Sequence, residues 1–63
     1  MAHIDLCEIG HNYHLGQALG NDRHGRCWAV EVSKDTPAAL IYGGKYYRRF
    51  DSFKEAEAFA LSL

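Results

Sequence analysis

Proline and long apolar stretches are scarce in this chain of 63 residues. It has a single proline, Pro37, and no low-complexity run or internal repeat, so it is neither a proline-rich linker nor a repeat protein. No apolar run approaches the roughly 20 residues that cross a membrane. The first residues, Met-Ala-His-Ile-Asp-Leu-Cys, lack the basic and apolar regions of a secretory signal. We therefore expect a cytoplasmic protein without membrane contact, whose two cysteines, Cys7 and Cys27, are reduced thiols.

Neither sign of charge is in large excess. Seven Lys and Arg residues stand against eight Asp and Glu residues, and the formal net charge is −1, which argues against strong generic binding to nucleic acid. The distribution is uneven, however. Residues 1–22 contain three carboxylates and no Lys or Arg, whereas residues 45–54 contain four basic side chains and one carboxylate. The molecule is therefore predicted to be acidic at its start and basic near its end.

Sequence features of enzymes are missing as well. There is no glycine-rich motif that cradles phosphate and no carboxylate pair with a spacing suited to acid–base catalysis. A chain this short buries only about 60% of its unfolded surface and leaves little room for a pocket of several hundred cubic ångströms. We expect a single non-enzymatic domain without catalytic residues, whose small core would gain from a metal, a partner or assembly as a homodimer.

Two segments have clear periodicity. Residues 52–62 are predicted to be a helix, because Ser52 and Glu55 form a capping box and apolar residues follow at helical spacing. Residues 26–50 are predicted to be β-strands. Within them, Trp28, Val30 and Val32 point to one side of a strand, and Ala29 and Glu31 point to the other. The side with Trp28 is predicted to face the core and the C-terminal helix. A turn at Lys34–Pro37 is expected to follow.

A hairpin precedes the helix, because Gly43-Gly44 suits a two-residue turn. The predicted register pairs Tyr42 with Lys45, Ile41 with Tyr46 and Leu40 with Tyr47. Residues 1–25 are predicted to hold one strand and a long histidine-rich loop, with at most one short helical turn near Leu15–Leu19. The expected fold is α+β: a small three- to four-stranded antiparallel sheet with one C-terminal helix packed on one face.

The strand Lys45–Phe50 combines aromatic and basic residues. The candidate partner-binding residues are Tyr42, Lys45, Tyr47, Arg48 and Arg49. If Phe50 joins the core with Tyr46 and Ile41, alternation places all of these except Arg48 on the open face of the sheet. Such faces can stack bases and hold phosphates, and they are equally typical of protein hot spots. A purely structural explanation also exists, since Tyr is a good strand residue and Lys and Arg protect sheet edges.

Cysteine and histidine are concentrated in the first half, as Cys7-x3-His11-x2-His14 and His24-x2-Cys27. Zinc prefers four thiolate or imidazole ligands, often from two closely spaced pairs. If zinc is bound, the predicted ligands are Cys7, His11 (or His14), His24 and Cys27, and a metal there would hold the long loop in place. The leading expectation is no cofactor, with a polar histidine-bearing loop and two cysteines that act as small apolar residues.

The segment Lys45-Tyr-Tyr-Arg-Arg-Phe-Asp-Ser-Phe-Lys-Glu-Ala-Glu-Ala-Phe59 is a basic strand that runs into a capped helix. It resembles the end of the hybrid-binding domain of some ribonucleases H and of the arm-type DNA-binding domain of phage integrases. Trp28–Val32 is similar to the first strand of those domains. The resemblance implies a small sheet packed on a helix, and it implies nucleic-acid binding.

The leading functional hypothesis is a small cytoplasmic regulator or inhibitor that acts by protein–protein interaction, as expected from its size for phage and mobile-element proteins. The first alternative is a nucleic-acid-binding module that uses the basic aromatic strand 45–50. The second is a zinc-stabilised adaptor.

Overall fold

A computed structural model describes residues 3–21, 23–33 and 38–63. The elements in chain order are β1 (His3–Leu6), α1 (Tyr13–Leu19), β2 (Trp28–Val32), β3 (Leu40–Tyr42), β4 (Lys45–Phe50) and α2 (Phe53–Leu61). The strands form one sheet in the order β1-β2-β4-β3, with every neighbouring pair antiparallel. The predicted α+β fold with a C-terminal helix is confirmed. The predicted turn at Lys34–Pro37 lies outside the described residues.

The capping box starts α2 as predicted. The backbone N–H of Glu55 donates to the Ser52 hydroxyl at 3.3 Å, and that hydroxyl donates to the Glu55 carboxylate at 3.1 Å. The helix packs on β1, β2 and β4. Ala56 is fully buried, and the Phe53 ring meets the edge of Trp28 at a centroid distance of 5.0 Å. The predicted packing of the C-terminal helix on the Trp28 side of the sheet is therefore confirmed. Neither helix of the described residues is long and apolar enough to cross a membrane.

The hairpin register is also confirmed: Leu40 pairs with Tyr47, Ile41 with Tyr46 and Tyr42 with Lys45. The turn residues Gly43 and Gly44 have φ angles of 60° and 80°. Both central residues of a type I′ turn require positive φ, which only glycine adopts readily, and this turn type matches the twist of the flanking strands.

The second helix, α1, corrects the prediction for residues 10–25. The sequence predicts a long loop with one helical turn at most, whereas the structure has a helix of seven residues. Leu15 and Leu19 lie four residues apart on its buried side and pack on the sheet face opposite α2. The two leucines are a short apolar stripe, and Asn12 makes no side-chain cap. The sequence signal for this helix is therefore weak.

A disulfide joins Cys7 and Cys27, with the two Cα atoms 5.4 Å apart. The prediction of reduced thiols is thus wrong for this structure. The cause is the sheet register: Leu6 pairs with Trp28, so the next residues outward on both strands face each other, and the Cys7 N–H donates to the Cys27 carbonyl at 3.2 Å. Both cysteines are fully buried, in one core cluster with Leu15, Leu19, Ala29 and Tyr47.

Breaking this disulfide should destabilise the domain strongly. The bond closes a loop between residues 20 positions apart, for which the chain-entropy model gives about 3 kcal/mol of stability. We expect a thermal melt in reductant to shift far downwards. The variant Cys7→Ala/Cys27→Ala should melt at that lower temperature with or without reductant. Two titratable thiols in the native protein, together with a melt that ignores reductant, would contradict the disulfide.

Gly16 lies where the backbone of α1 passes close to Cys7, the residue that follows β1. The glycine is buried, and a Cβ atom at this position would overlap the Cys7 carbonyl oxygen and crowd the Asn21 side-chain oxygen. The Cys7 backbone cannot move away easily, because the Cys7 side chain is bonded to Cys27 and the Cys7 N–H donates to the Cys27 carbonyl. The absence of a side chain at Gly16 therefore allows α1 to rest directly on the β1 end of the sheet.

Gly16→Ala should destabilise the protein, although the same change in an ordinary helix stabilises by about 1 kcal/mol. Overpacking against a fixed backbone atom costs about 1–3 kcal/mol. The next residue of α1, Gln17, is exposed. Gln17→Ala should therefore change the free energy of unfolding by about 0.5 kcal/mol at most. Urea unfolding measures both values, and a more stable Gly16→Ala protein would show that α1 does not lie against Cys7.

Candidate functional site

Four of the five predicted binding residues share one face of the sheet, but that face is closed. Tyr42, Lys45, Tyr47 and Arg49 lie on the same side by register. The expectation that this side is open is wrong, because α1 covers it. Tyr47 is only 7% exposed and belongs to the core cluster, and Tyr42 is half-buried against the same cluster.

The two cations on this face are paired. The Lys45 ammonium lies 3.7 Å from a carboxylate oxygen of Glu31, and the Arg49 guanidinium lies 2.9 Å from that of Asp51. The Arg49 side chain is largely buried, and its Nε has no hydrogen-bond partner among the described residues. These charges are therefore balanced locally, and little of this face is left for a partner.

Arg48 lies on the opposite face, beside α2. Its guanidinium carbon is 4.9 Å from the centre of the Phe59 ring and 5.6 Å from that of Phe50. The two rings are themselves in contact, with centroids 5.2 Å apart. Cations are attracted to the faces of aromatic rings, so the two phenylalanines hold the Arg48 side chain in position along the flank of α2.

Next to Arg48 the sheet extends beyond the helix. α2 packs on β1, β2 and β4, while β3 is the outermost strand. On the α2 side, Ile41 of β3 is 63% exposed and its register partner Tyr46 is half-buried. The result is a step, which we call the shelf. Its members are Ile41, Tyr46, Arg48, Phe50 and Phe59.

Arg48 is the charged group of the shelf. Among the described residues, ion pairs join His3 to Asp5, Arg26 to Glu8, Lys45 to Glu31 and Arg49 to Asp51. Within the described ranges, no carboxylate is in ion-pair contact with Arg48. The guanidinium is thus oriented by rings but not neutralised by an acid from those ranges.

Sequence reasoning assigned Ile41 and Tyr46 to the core and so missed the shelf. Alternation alone places them on the helix side, which is correct, but does not tell how far the helix reaches. A helix with its side chains is about 10–12 Å wide, and four strands about 4.8 Å apart span roughly 14 Å between the outer axes. The helix is thus narrower than the sheet, and this difference in width predicts that one short helix leaves an outer strand uncovered on the helix side.

The cysteine and histidine residues do not come together as a metal site. Cys7 and Cys27 are bonded to each other, so neither sulfur is a thiolate ligand. His11 and His24 are exposed. In the ranges 3–21, 23–33 and 38–63, no group of three or more His, Cys, Asp and Glu side chains is placed to hold a metal ion. Zinc binding by the predicted set would first require reduction of the disulfide.

An open cleft lies where β2 begins and β4 ends. It is lined by His24, Arg26, Trp28 and Asp51. Its lining residues include no hydroxyl or thiol nucleophile. Arg26 lies 3.1 Å from Glu8, and Asp51 is held by Arg49. Two of the charged residues that line the cleft are therefore already paired with a neighbouring charge.

No protein-family model matches this chain, and no match was found among curated proteins or among solved structures. The resemblance of residues 45–59 to nucleic-acid-binding modules stays a prediction.

Tyr47 is a core residue, and this has a consequence at high pH. Burial, followed by the nearby Glu31 carboxylate, raises the pKa of Tyr47 above its ordinary value of 10.0. The unfolded chain, with the lower pKa, therefore loses its proton first as the pH rises. The contribution of Tyr47 to stability is fully present below about pH 10 and should be lost as the pH rises through the folded-state pKa.

Tyr47→Phe should fold normally and lose less stability above about pH 10 than the wild type does. Tyr13→Phe, the same change at an exposed tyrosine, is the matched control. Tyr47→Ala should cost about 3–5 kcal/mol and unfold most of the protein. Urea unfolding at pH 7 and pH 10.5 gives these comparisons. If Tyr47→Ala were as stable as the wild type, α1 would not cover this face.

Proposed function

We propose that this protein is a non-enzymatic binding module that recognises another protein through the shelf, and that it acts as a regulator or inhibitor of that partner. The observation that carries the proposal is the position of Arg48, which is held by Phe50 and Phe59 on the same face of the sheet as the exposed Ile41. Tyrosine, arginine and apolar side chains in one patch are the usual composition of the centre of a protein interface.

The chemistry of the shelf defines the segment that it would bind. Ile41 and Tyr46 offer apolar contact area, and Arg48 offers directed N–H donors without a carboxylate from the described residues. A guanidinium binds a carboxylate through two parallel hydrogen bonds. The expected partner segment therefore carries Asp or Glu close to a large apolar side chain.

Nucleic acid is a less suitable partner for the folded surface. The ring that would stack on bases in the sequence-based hypothesis, Tyr47, is buried by α1, and Lys45 and Arg49 are paired with carboxylates. Phosphate-driven binding requires several available cations. The alternative of a module that reads nucleic acid through residues 45–50 is therefore an outcome of the test below.

A random-peptide library selected on the immobilised protein tests the proposal. The selected peptides should share an acidic residue within a few positions of a large apolar one. Arg48→Met keeps an apolar chain over the two rings while removing the charge, and it should weaken binding about 10- to 100-fold, since a hydrogen bond to a charged group contributes about 1.5–3 kcal/mol. Ile41→Ala should weaken binding too. Arg23→Met, the same change at an exposed arginine, should leave affinity unchanged.

Salt dependence separates the partner classes. A peptide bound through one guanidinium should lose little affinity as salt rises. A 20-base-pair duplex held by three or four phosphates should show a log–log slope near −3. Tight duplex binding with that slope, lost in Arg48→Met, would replace the proposal by nucleic-acid binding. Peptide binding that is unaffected by both shelf variants would overturn it.

A further inference from the structure

The two edges of the sheet differ in their protection against pairing. The outer strand β1 carries His3 and Asp5, whose side chains are in contact at 3.1 Å. The outer strand β3 carries no charge, and the stretch Ala-Ala-Leu-Ile-Tyr-Gly-Gly from residue 38 to residue 44 contains no charged residue and no proline. Sheet edges are normally protected by charged residues, proline or bulges. β3 lacks charged residues and proline. α1 packs against β3 from the side of Tyr42, yet Leu40 and Ile41 are still 40% and 63% exposed.

The hairpin determines which backbone groups this edge presents. In an antiparallel pair, hydrogen-bonded and non-hydrogen-bonded residue pairs alternate, and the residues that flank a two-residue turn form a hydrogen-bonded pair. Tyr42 and Lys45 flank the turn, so the next pair, Ile41 with Tyr46, is the non-hydrogen-bonded one. The N–H and the C=O of Ile41 therefore both point outward, away from β4.

We propose that two copies of this protein form a dimer by antiparallel pairing of their β3 strands, around a two-fold axis at Ile41. In this register each Ile41 donates its N–H to the C=O of the other, and both outward groups are satisfied. Leu40 of one copy lies opposite Tyr42 of the other, and an aliphatic residue opposite an aromatic one is a favourable cross-strand pair. Such an interface is isologous, as in most dimers.

Charge and size favour a second copy as the occupant of this edge. In a two-fold pair of strands this short, a charge on one strand would lie close to the same charge on the other, and β3 carries none. The net charge of −1 per chain adds little repulsion at longer range. A standard interface takes about 800 Å² from each partner, close to a fifth of this chain's 4327 Å². A ladder of three residues covers less than that, so the dimer should be weak and dependent on concentration.

Pairing would also change the shape of the shelf. The two-fold axis of an antiparallel strand pair runs perpendicular to the sheet, so both α2 helices lie on the same side of a continuous eight-stranded sheet. The two shelves then join into one trough, with both Ile41 side chains on its floor and an α2 helix along each wall. The dimer does not depend on the proposed function, although it would enlarge the surface available for it.

Sedimentation equilibrium of the full chain, from micromolar to millimolar concentration, tests the dimer. The mass should rise from 7.1 kDa towards twice that value. Over the same range, amide hydrogen exchange should slow at Ile41 and stay constant within β4, since only Ile41 gains a partner. Leu40→Glu faces away from the shelf and should keep the mass at that of the monomer. Ile9→Glu, at a residue that is 62% exposed in another turn, should dimerise like the wild type.

The dimer would be overturned by a mass of 7.1 kDa at every concentration, by a dimer that survives in Leu40→Glu, or by association without slower exchange at Ile41. Open-ended growth in mass would equally contradict a closed two-fold pair. The exchange measurement uses the wild type, so the test stands even if Leu40→Glu folds poorly. Arg48→Met should dimerise normally while losing peptide affinity, which separates failure of the dimer from failure of the proposed function.

Discussion

The disulfide between Cys7 and Cys27 fixes the backbone against which α1 packs. It joins the ends of β1 and β2 in the core, and Gly16 brings the helix backbone directly over the Cys7 carbonyl. From that contact Leu15 and Leu19 reach across the sheet to Tyr47. A core this small has few apolar groups, so a cross-link that reduces the entropy of the unfolded chain matters more than in a larger protein. The closed state of this face of the sheet follows from that arrangement.

With one face closed by α1, the surface available for recognition is decided by the reach of α2. The nine residues of α2 cover three strands and leave β3 at the margin. That margin carries an exposed isoleucine, a half-buried tyrosine and an arginine positioned by two rings. The protein thus has its apolar surface and its oriented guanidinium at the same place. This coincidence distinguishes the shelf from the cleft near Trp28, where Arg26 and Asp51 are each paired with a charge outside the cleft lining.

The distribution of charge has a similar logic. Three cations on or beside the sheet are each paired with a carboxylate: Arg26 with Glu8, Lys45 with Glu31 and Arg49 with Asp51. The mostly exposed pairs Arg26–Glu8 and Lys45–Glu31 contribute about 0–1 kcal/mol to stability, so their main effect is to reduce the charge that a phosphate backbone would attract. Two of the four basic residues in the range 45–54, Lys45 and Arg49, are balanced by carboxylates on the folded surface.

Local interactions were readable from the sequence alone. Ser52 and Glu55 are three residues apart, Gly43 and Gly44 are adjacent, and the alternation around Trp28 involves neighbours, so the cap of α2, the hairpin register and the helix-facing side of β2 followed from short-range chemistry. Only the tertiary structure decided which face is open, because this depends on α1 and on the width of α2 relative to the sheet. It also decided the state of the cysteines, which lie 20 residues apart and meet only when β1 pairs with β2. Tyr47 changed from a candidate binding residue to a core residue for the same reason: its surroundings come from distant parts of the chain.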